Sequence, residues 1–274
     1  MADLSLLIEP EDLAAQLPLP GTLIIDQSKQ EHFLKHHIPG AVWLDFKRLQ
    51  AGTAPAPGKL PSAEQLSSVF SELGLTPDTH VICCDDEGGG WDGRLIWVLD
   101  SIGHTQYSVI NGGMTAWLDA GLPVEAGEVT PTPSAYTVTQ ILPQFTATKD
   151  EILAHLGEPG FAVWDARGPL EYTGEKVVAQ RGGHIPGAAH FEWTDGMDKS
   201  RALRMRDLND LKAELKSLGL DSGKQIVTHC HTHHRSGYTY LIGKLLGFDI
   251  RGYAGSWSEW NSDPDTPVTT GPQA

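Results

Sequence analysis

The residues best suited to chemistry lie in one stretch, IVTHCHTHHRSGYTYLIGKLLG, residues 226–247. Cys230 closes an apolar run of strand length and precedes an apolar run of helical character. His231, Thr232, His233, His234, Arg235, Ser236 and Gly237 fill the gap between them. A thiol placed between a strand end and a helix N-terminus faces unsatisfied backbone N–H groups and the positive end of the helix dipole, and both favour the thiolate. A loop that curls around its first residue aims successive N–H groups inward as an anion nest, and Gly237 permits the tight curvature. Free cysteine titrates near about 8.5, and such surroundings lower that by roughly 1–5 units. Thr232 and Ser236 add hydroxyl donors, and Arg235 offers a planar fork to an incoming oxyanion. The same cradle suits the charged outer sulfur of a persulfide. These residue types point to nucleophilic catalysis by sulfur.

Three other readings of the stretch are weaker. A buried structural cysteine is common, but one is not normally followed by HTHHRSG, where nearly every side chain is polar. Zinc has candidate ligands in His229, Cys230, His231, His233 and His234. Closed zinc sites, however, draw separated ligand pairs, so no metal is expected. Cysteine phosphatases and arsenate reductases also place Cys and Arg on a strand–loop–helix, with five residues between them. Here only His231, Thr232, His233 and His234 intervene. The shorter loop makes a cradle fit for one sulfur and too tight for a tetrahedral oxyanion centred on phosphorus.

The elements that must hold this loop recur twice along the chain. The first half carries TLIID (22–26), HIPGAVWLDF (37–46), SAEQLSSVFSELGL (62–75), HVICCDDEGGGWDGRLIWVLDSIG (80–103) and YSVINGGMTAWLDAGLPV (107–124). The second carries FAVWDARG (161–168), GHIPGAAHFEW (183–193), RDLNDLKAELKSLGL (206–220), residues 225–248 around Cys230, and DIRGYAGSWSEWNSDPDTPV (249–268). Asp26 and Asp165 are 139 apart, Pro39 and Pro186 are 147 apart, and Trp117 and Trp257 are 140 apart. Ordered repetition of this kind implies a duplicated domain. Short apolar runs such as VICC and IVTH alternate with helical stripes such as Leu208, Leu211, Leu215 and Leu218. The pattern predicts an α/β fold of two similar domains, each a mainly parallel sheet flanked by helices on both faces. Chemistry in such sheets sits beyond the carboxyl ends of the strands, where Cys230 falls. Residues 129–145, rich in Thr and Pro, read as an extended linker between domains at 1–128 and 146–274.

Aligning VICCD (81–85) with residues 226–230 puts Asp85 opposite Cys230 and leaves Cys83 and Cys84 inside a strand. The loop after Asp85 is acidic and glycine-rich, so the first domain is expected to be an inactive scaffold. Its GGG lacks the Lys and Ser/Thr of a Walker motif, so no nucleotide site is expected. His37 and His184 precede IPGA in both halves, which favours a packing role. Pro39–Gly40 and Pro186–Gly187 read as fixed turns, and Trp117 and Trp257 as core aromatics. By fold analogy, Trp193, Met197 and Trp260 are candidates for the pocket mouth.

Composition narrows the function classes. Twenty Lys and Arg against 35 Asp and Glu give a formal charge of −15, which argues against nucleic acid as a partner. Three cysteines, two of them adjacent, fit no disulfide scaffold and suit a reducing, cytoplasmic setting. The first twenty residues show no leader pattern, and no apolar run reaches the length of a membrane span.

With these motifs in view, the chain resembles the tandem-domain rhodanese family of sulfurtransferases, and in particular bacterial thiosulfate sulfurtransferases with a Cys-x-Thr-His-His-Arg-Ser loop. HIPGA in each half, DARG at 165–168, the Cys230 loop and G-x-x-x-W at 113–117 carry the resemblance over nearly the whole chain. It implies catalysis only in the C-terminal domain, by a ping-pong cycle through a cysteine persulfide with cyanide or another thiophile as acceptor. Carried over residue by residue, the nucleophile falls on Cys230, the loop cradle on His231 through Ser236, and a donor-binding arginine on Arg167. The loop is neither the Cys-Arg-Lys-Gly of animal thiosulfate enzymes nor the Cys-Gly-Ser-Gly of mercaptopyruvate enzymes. Its basic character favours a small anionic donor, thiosulfate, over 3-mercaptopyruvate. A persulfide carrier serving a thioredoxin-like or other sulfur-accepting protein is the non-enzymatic alternative. A monomer without cofactor, away from membranes, is expected.

Overall fold

The computed structural model describes residues 4–273. The first repeat runs β1 (Leu7–Ile8), α1 (Pro10–Ala14), β2 (Thr22–Asp26), α2 (Gln30–Phe33), β3 (Val42–Trp43), α3 (Ala63–Glu72), β4 (His80–Cys84), α4 (Gly90–Ser101), β5 (Tyr107–Ile110) and α5 (Gly113–Asp119). The second opens with α6 (Lys149–His155), β6 (Phe161–Asp165), α7 (Pro169–Thr173), β7 (Ala189–His190), β8 (Met197–Asp198) and β9 (Arg204–Met205). It closes with α8 (Leu208–Ser217), β10 (Gln225–His229), α9 (Arg235–Leu245), β11 (Asp249–Gly252) and α10 (Ser256–Ser262).

Helix ends follow capping chemistry. Ser62 and Gln65 form a reciprocal capping box on α3, whose Leu66, Val69 and Phe70 are buried. Asp207 caps α8 through the N–H groups of Asn209 and Asp210. Leu211 and Leu215 form the buried stripe of α8, whereas Leu218 lies past the helix end and is exposed, so the stripe is narrower than its leucine spacing predicts.

The apolar runs become central parallel strands, as expected for runs buried on both faces. The first sheet has the order β1-β5-β4-β2-β3 and the second β11-β10-β6-β7, with every pairing parallel. Two similar α/β domains result, each with its own apolar core. Ile24, Ile82, Met114 and Trp117 lie in one core, and Val163, Val227, Trp257 and Trp260 in the other. Strands β8 and β9 form a separate antiparallel hairpin.

The repeats share matching contacts, with one correction to the sequence register. Trp117 donates its indole N–H to Pro123, and the residue that does the same toward Pro267 is Trp260. The Met114 N–H bonds the Asp85 carbonyl at 2.8 Å, and the Trp257 N–H bonds the Cys230 carbonyl at 3.0 Å. Trp257 is therefore the counterpart of Met114, and the offset in this region is 143. His37 stacks on Phe33 and bonds its carbonyl, while His184 stacks on Tyr172 and bonds its carbonyl. Both imidazoles are buried and serve packing.

The division into compact units is not the contiguous one read from sequence. One unit comprises residues up to Gln50, Pro61–Leu142 and Met197–Met205; the other comprises Ala51–Leu60, Pro143–Gly196 and Arg206 onward. A short segment of each repeat belongs to the unit built around the other. Within the expected linker, Tyr136 and Val138 are buried along α3, where Ser71 and Ser67 hydrogen-bond their backbone. Among the described residues no helix is long and apolar enough to cross a membrane.

Candidate active site

Cys230 follows the last residue of β10, and α9 begins five residues later at Arg235. Its sulfur is buried and receives the His234 N–H at 3.3 Å, together with the amide and hydroxyl of Ser236. Burial alone would raise this thiol. Arg235, the two Ser236 hydrogen bonds and His234 outweigh that effect and bring it down to about 7. The Ser236 hydroxyl is itself held at 2.7 Å by His233 Nδ1. An N–H on that nitrogen orders the chain His233 to Ser236 to sulfur, with the Ser236 hydroxyl proton aimed at the negative charge. His233 is fully buried at φ 58, a left-handed conformation sparsely used by residues other than glycine.

Arg235 does not stand alone. Its guanidinium makes a bidentate pair with Glu171 of α7 at 2.6 and 3.0 Å, and it keeps partial exposure. Burial opposes charge on both partners, but their mutual contact prevails: Glu171 is held below the usual carboxylate range and Arg235 is raised.

Arg167 differs from its expected role. It is fully buried, donates through Nε and Nη2 to Asp165, gives a further hydrogen bond to the Gly183 carbonyl, and lies over the Trp257 ring at 4.4 Å. Burial disfavours charge on Asp165, yet neighbouring His229 and Arg167 keep its carboxyl well below the usual range. A guanidinium committed in this way ties the end of β6 to its neighbours and has no exposure to solvent. The first repeat has Ser28 at the corresponding position, where its N–H caps Asp26, and without a cation burial pushes Asp26 up to about 6.

The equivalent loop of the first repeat is occupied by its own carboxylate. Asp85 Oδ1 accepts from the N–H groups of Glu87, Gly88 and Gly89, and Oδ2 from those of Trp91 and Asp92. The nest survives there, but its anion is tethered and carries no sulfur. Cys83 and Cys84 are buried in β4, and burial with nearby carboxylates raises both thiols well above their ordinary value.

A rhodanese-like domain profile matches residues 9–120 and again 148–263. The chain belongs to the rhodanese family. It is 51% identical to a thiosulfate sulfurtransferase of Azotobacter vinelandii over 97% of this chain and 98% of that one. It is 47% identical to a thiosulfate sulfurtransferase of Pseudomonas aeruginosa, with the same shares covered. The solved structure of YnjE shares the fold, with a TM-score of 0.87 at 24% identity over 97% of this chain and 68% of that one. This rhodanese is accordingly an enzyme, a sulfurtransferase that moves sulfane sulfur by cysteine persulfide chemistry.

The remaining candidates divide by position. His231, Thr232, His234 and Arg235 are half-buried around the sulfur, and Trp193 stands 5.8 Å from His234, ring to ring. Trp260 is fully buried in the core, and Met197 belongs to the first unit, packed near Gly88. Among the described residues no group of three or more His, Cys, Asp or Glu converges to hold a metal ion. Sequence reasoning passed over Glu171 and Ser256. An acid in the first turn of a short helix reads as dipole complement, so Glu171 carries no distinctive mark. Ser256 accepts the Cys230 N–H at 3.4 Å from a left-handed φ of 53, matching Gly113 at φ 56 in the first repeat. That Gly-to-Ser exchange between aligned repeats was the available signal.

Proposed function

We propose that Cys230 is the nucleophile of a thiosulfate:cyanide sulfurtransferase and that the second repeat alone performs the chemistry. The observation that carries this reading is the convergence of the His234 amide, the Ser236 amide and the Ser236 hydroxyl on one sulfur. The Cys230 thiolate attacks the sulfane sulfur of thiosulfate, the bond to the sulfonate sulfur breaks, and sulfite leaves with the electron pair. The outer sulfur of the resulting persulfide carries the negative charge the nest is built to hold. A thiophile such as cyanide then attacks that sulfur, and the electron pair of the S–S bond returns to Cys230. Arg235, His231 and His234 meet the donor sulfonate at the half-buried rim, and Arg167 holds the floor beneath them. The names of the two bacterial relatives support thiosulfate as donor in preference to 3-mercaptopyruvate. Physiological acceptors on this reading are small thiophiles or a thioredoxin-like protein, met by a cytoplasmic monomer. All three cysteines being free supports the reducing compartment.

Mass spectrometry of the intact protein tests the reading. Thiosulfate should add about one sulfur mass, roughly 32 Da, and cyanide should remove it. Cys230→Ala should gain nothing and lose turnover; a variant that still loads and turns over would overturn the assignment.

A further inference from the structure

The ten residues Ala51–Leu60 belong to the catalytic unit although they come from the first repeat. The segment is a closed loop: the Ala51 N–H bonds the Lys59 carbonyl at 3.0 Å, and turns at Thr53–Ala56 and Ala56–Lys59 fill it. Within it only Ala56 and Gly58 are buried. Gly58 lies against the catalytic loop so closely that a Cβ there would stand 2.1 Å from the Thr232 carbonyl oxygen and 2.8 Å from that of Ala254. Both neighbours are backbone and cannot turn aside. The φ of Gly58 is outside the left-handed region, so glycine is required by proximity and not by conformation. Lys59 anchors the next position through a 2.7 Å pair with Glu259 of α10.

The contact bears on the nest through peptide geometry. In a trans peptide the C=O and the following N–H point in opposite directions. A Thr232 carbonyl directed at Gly58 therefore turns the His233 N–H away from the segment. In the first repeat the residue matching His233 is Gly88, whose N–H does point into the nest, at 2.9 Å from Asp85 Oδ1. The reciprocal segment, Met197–Met205, crowds that same residue: a Cβ on Gly88 would meet Leu203 at 3.0 Å and Met197 at 3.2 Å.

We propose that the 51–60 segment is a positioning element for sulfur transfer, with Gly58 fixing the Thr232–His233 peptide so that the loop stays curled around Cys230. The proposal rests on Cys230 being the nucleophile.

The test is the pH dependence of Cys230 alkylation by iodoacetamide in the full-length chain, followed by mass, with Cys230→Ala as the control that assigns the signal. Wild type should show a midpoint near 7. Gly58→Ala should move that midpoint up by about one unit, lowering the alkylation rate at pH 7 and the thiosulfate kcat by roughly tenfold. Lys59→Ala adds no atom and replaces a largely exposed side chain. It should move the midpoint in the same direction by a smaller step, and it decides the matter should Gly58→Ala not fold. A wild type without the low midpoint would refute the nucleophile itself. A wild type that has it, beside variants that titrate identically while folded, would overturn the role of the segment.

Discussion

At the scale of single residues, the thiolate at Cys230 is a balance between burial and a few named donors. Burial works against charge, while Arg235, Ser236 and His234 favour it, leaving a midpoint at about 7. A lowered thiol value means the thiolate prevails above the midpoint, so alkylation and the first half-reaction should rise as pH passes upward through 7. Arg235→Ala removes the leading favourable charge and should shift that limb up by about one unit, worth about 1.4 kcal/mol. Arg235→Lys should restore charge without the fork and recover only part of the loss. Glu171→Gln should do the opposite: with Arg235 no longer neutralised, the midpoint should fall by a few tenths and KM for dianionic thiosulfate should drop. Alkylation profiles and steady-state kinetics on the three variants check both signs, and a Glu171→Gln profile that moves upward would contradict this account of the pair.

At the scale of elements, the strand–loop–helix around Cys230 was legible because apolar length and polar interruption mark its parts along the chain. The contacts that tune it were not. Glu171 on α7 and Arg235 on α9 meet across 64 residues, and neither neighbourhood announces the other. The family resemblance assigns Arg167 of DARG to the donor. Only the fold reveals that it ties the end of β6 to the Gly183 carbonyl through Asp165. Its removal is therefore a stability experiment. Arg167→Ala should leave a carboxylate buried without its partner and cost about 3–5 kcal/mol in urea denaturation. A donor contact would instead raise KM at unchanged stability. His233 and Ser256 show the same limit: their left-handed backbone is held by tertiary contacts, and propensity would have placed glycine, as the first repeat does at Gly88 and Gly113.

At the scale of the whole molecule, the duplication was readable from ordered landmarks, and the same landmarks set Asp85, whose carboxylate fills the nest of the first copy, opposite Cys230. The cysteines of that copy are confined to β4, where Cys83 and Cys84 are buried with raised thiols. Replacing both with Ala should leave persulfide formation and turnover within a few fold of wild type while lowering stability by about 1–3 kcal/mol in a thermal melt. Loss of the persulfide signal in a folded double variant would return catalytic weight to the first repeat. What the landmarks did not disclose is the assignment of residues 51–60 and 197–205, since a short loop without periodicity leaves no trace of the unit it joins.

That assignment bears on how such a gene can change. A cut at the apparent boundary near residue 140 would yield a second half complete in strands and nucleophile but stripped of the ten residues seated on its loop. Discarding the first repeat, or recombining the second into another protein, would break a unit whose parts are encoded on both sides of the cut. Each unit therefore draws on both repeats for its residues, and the two are inherited together.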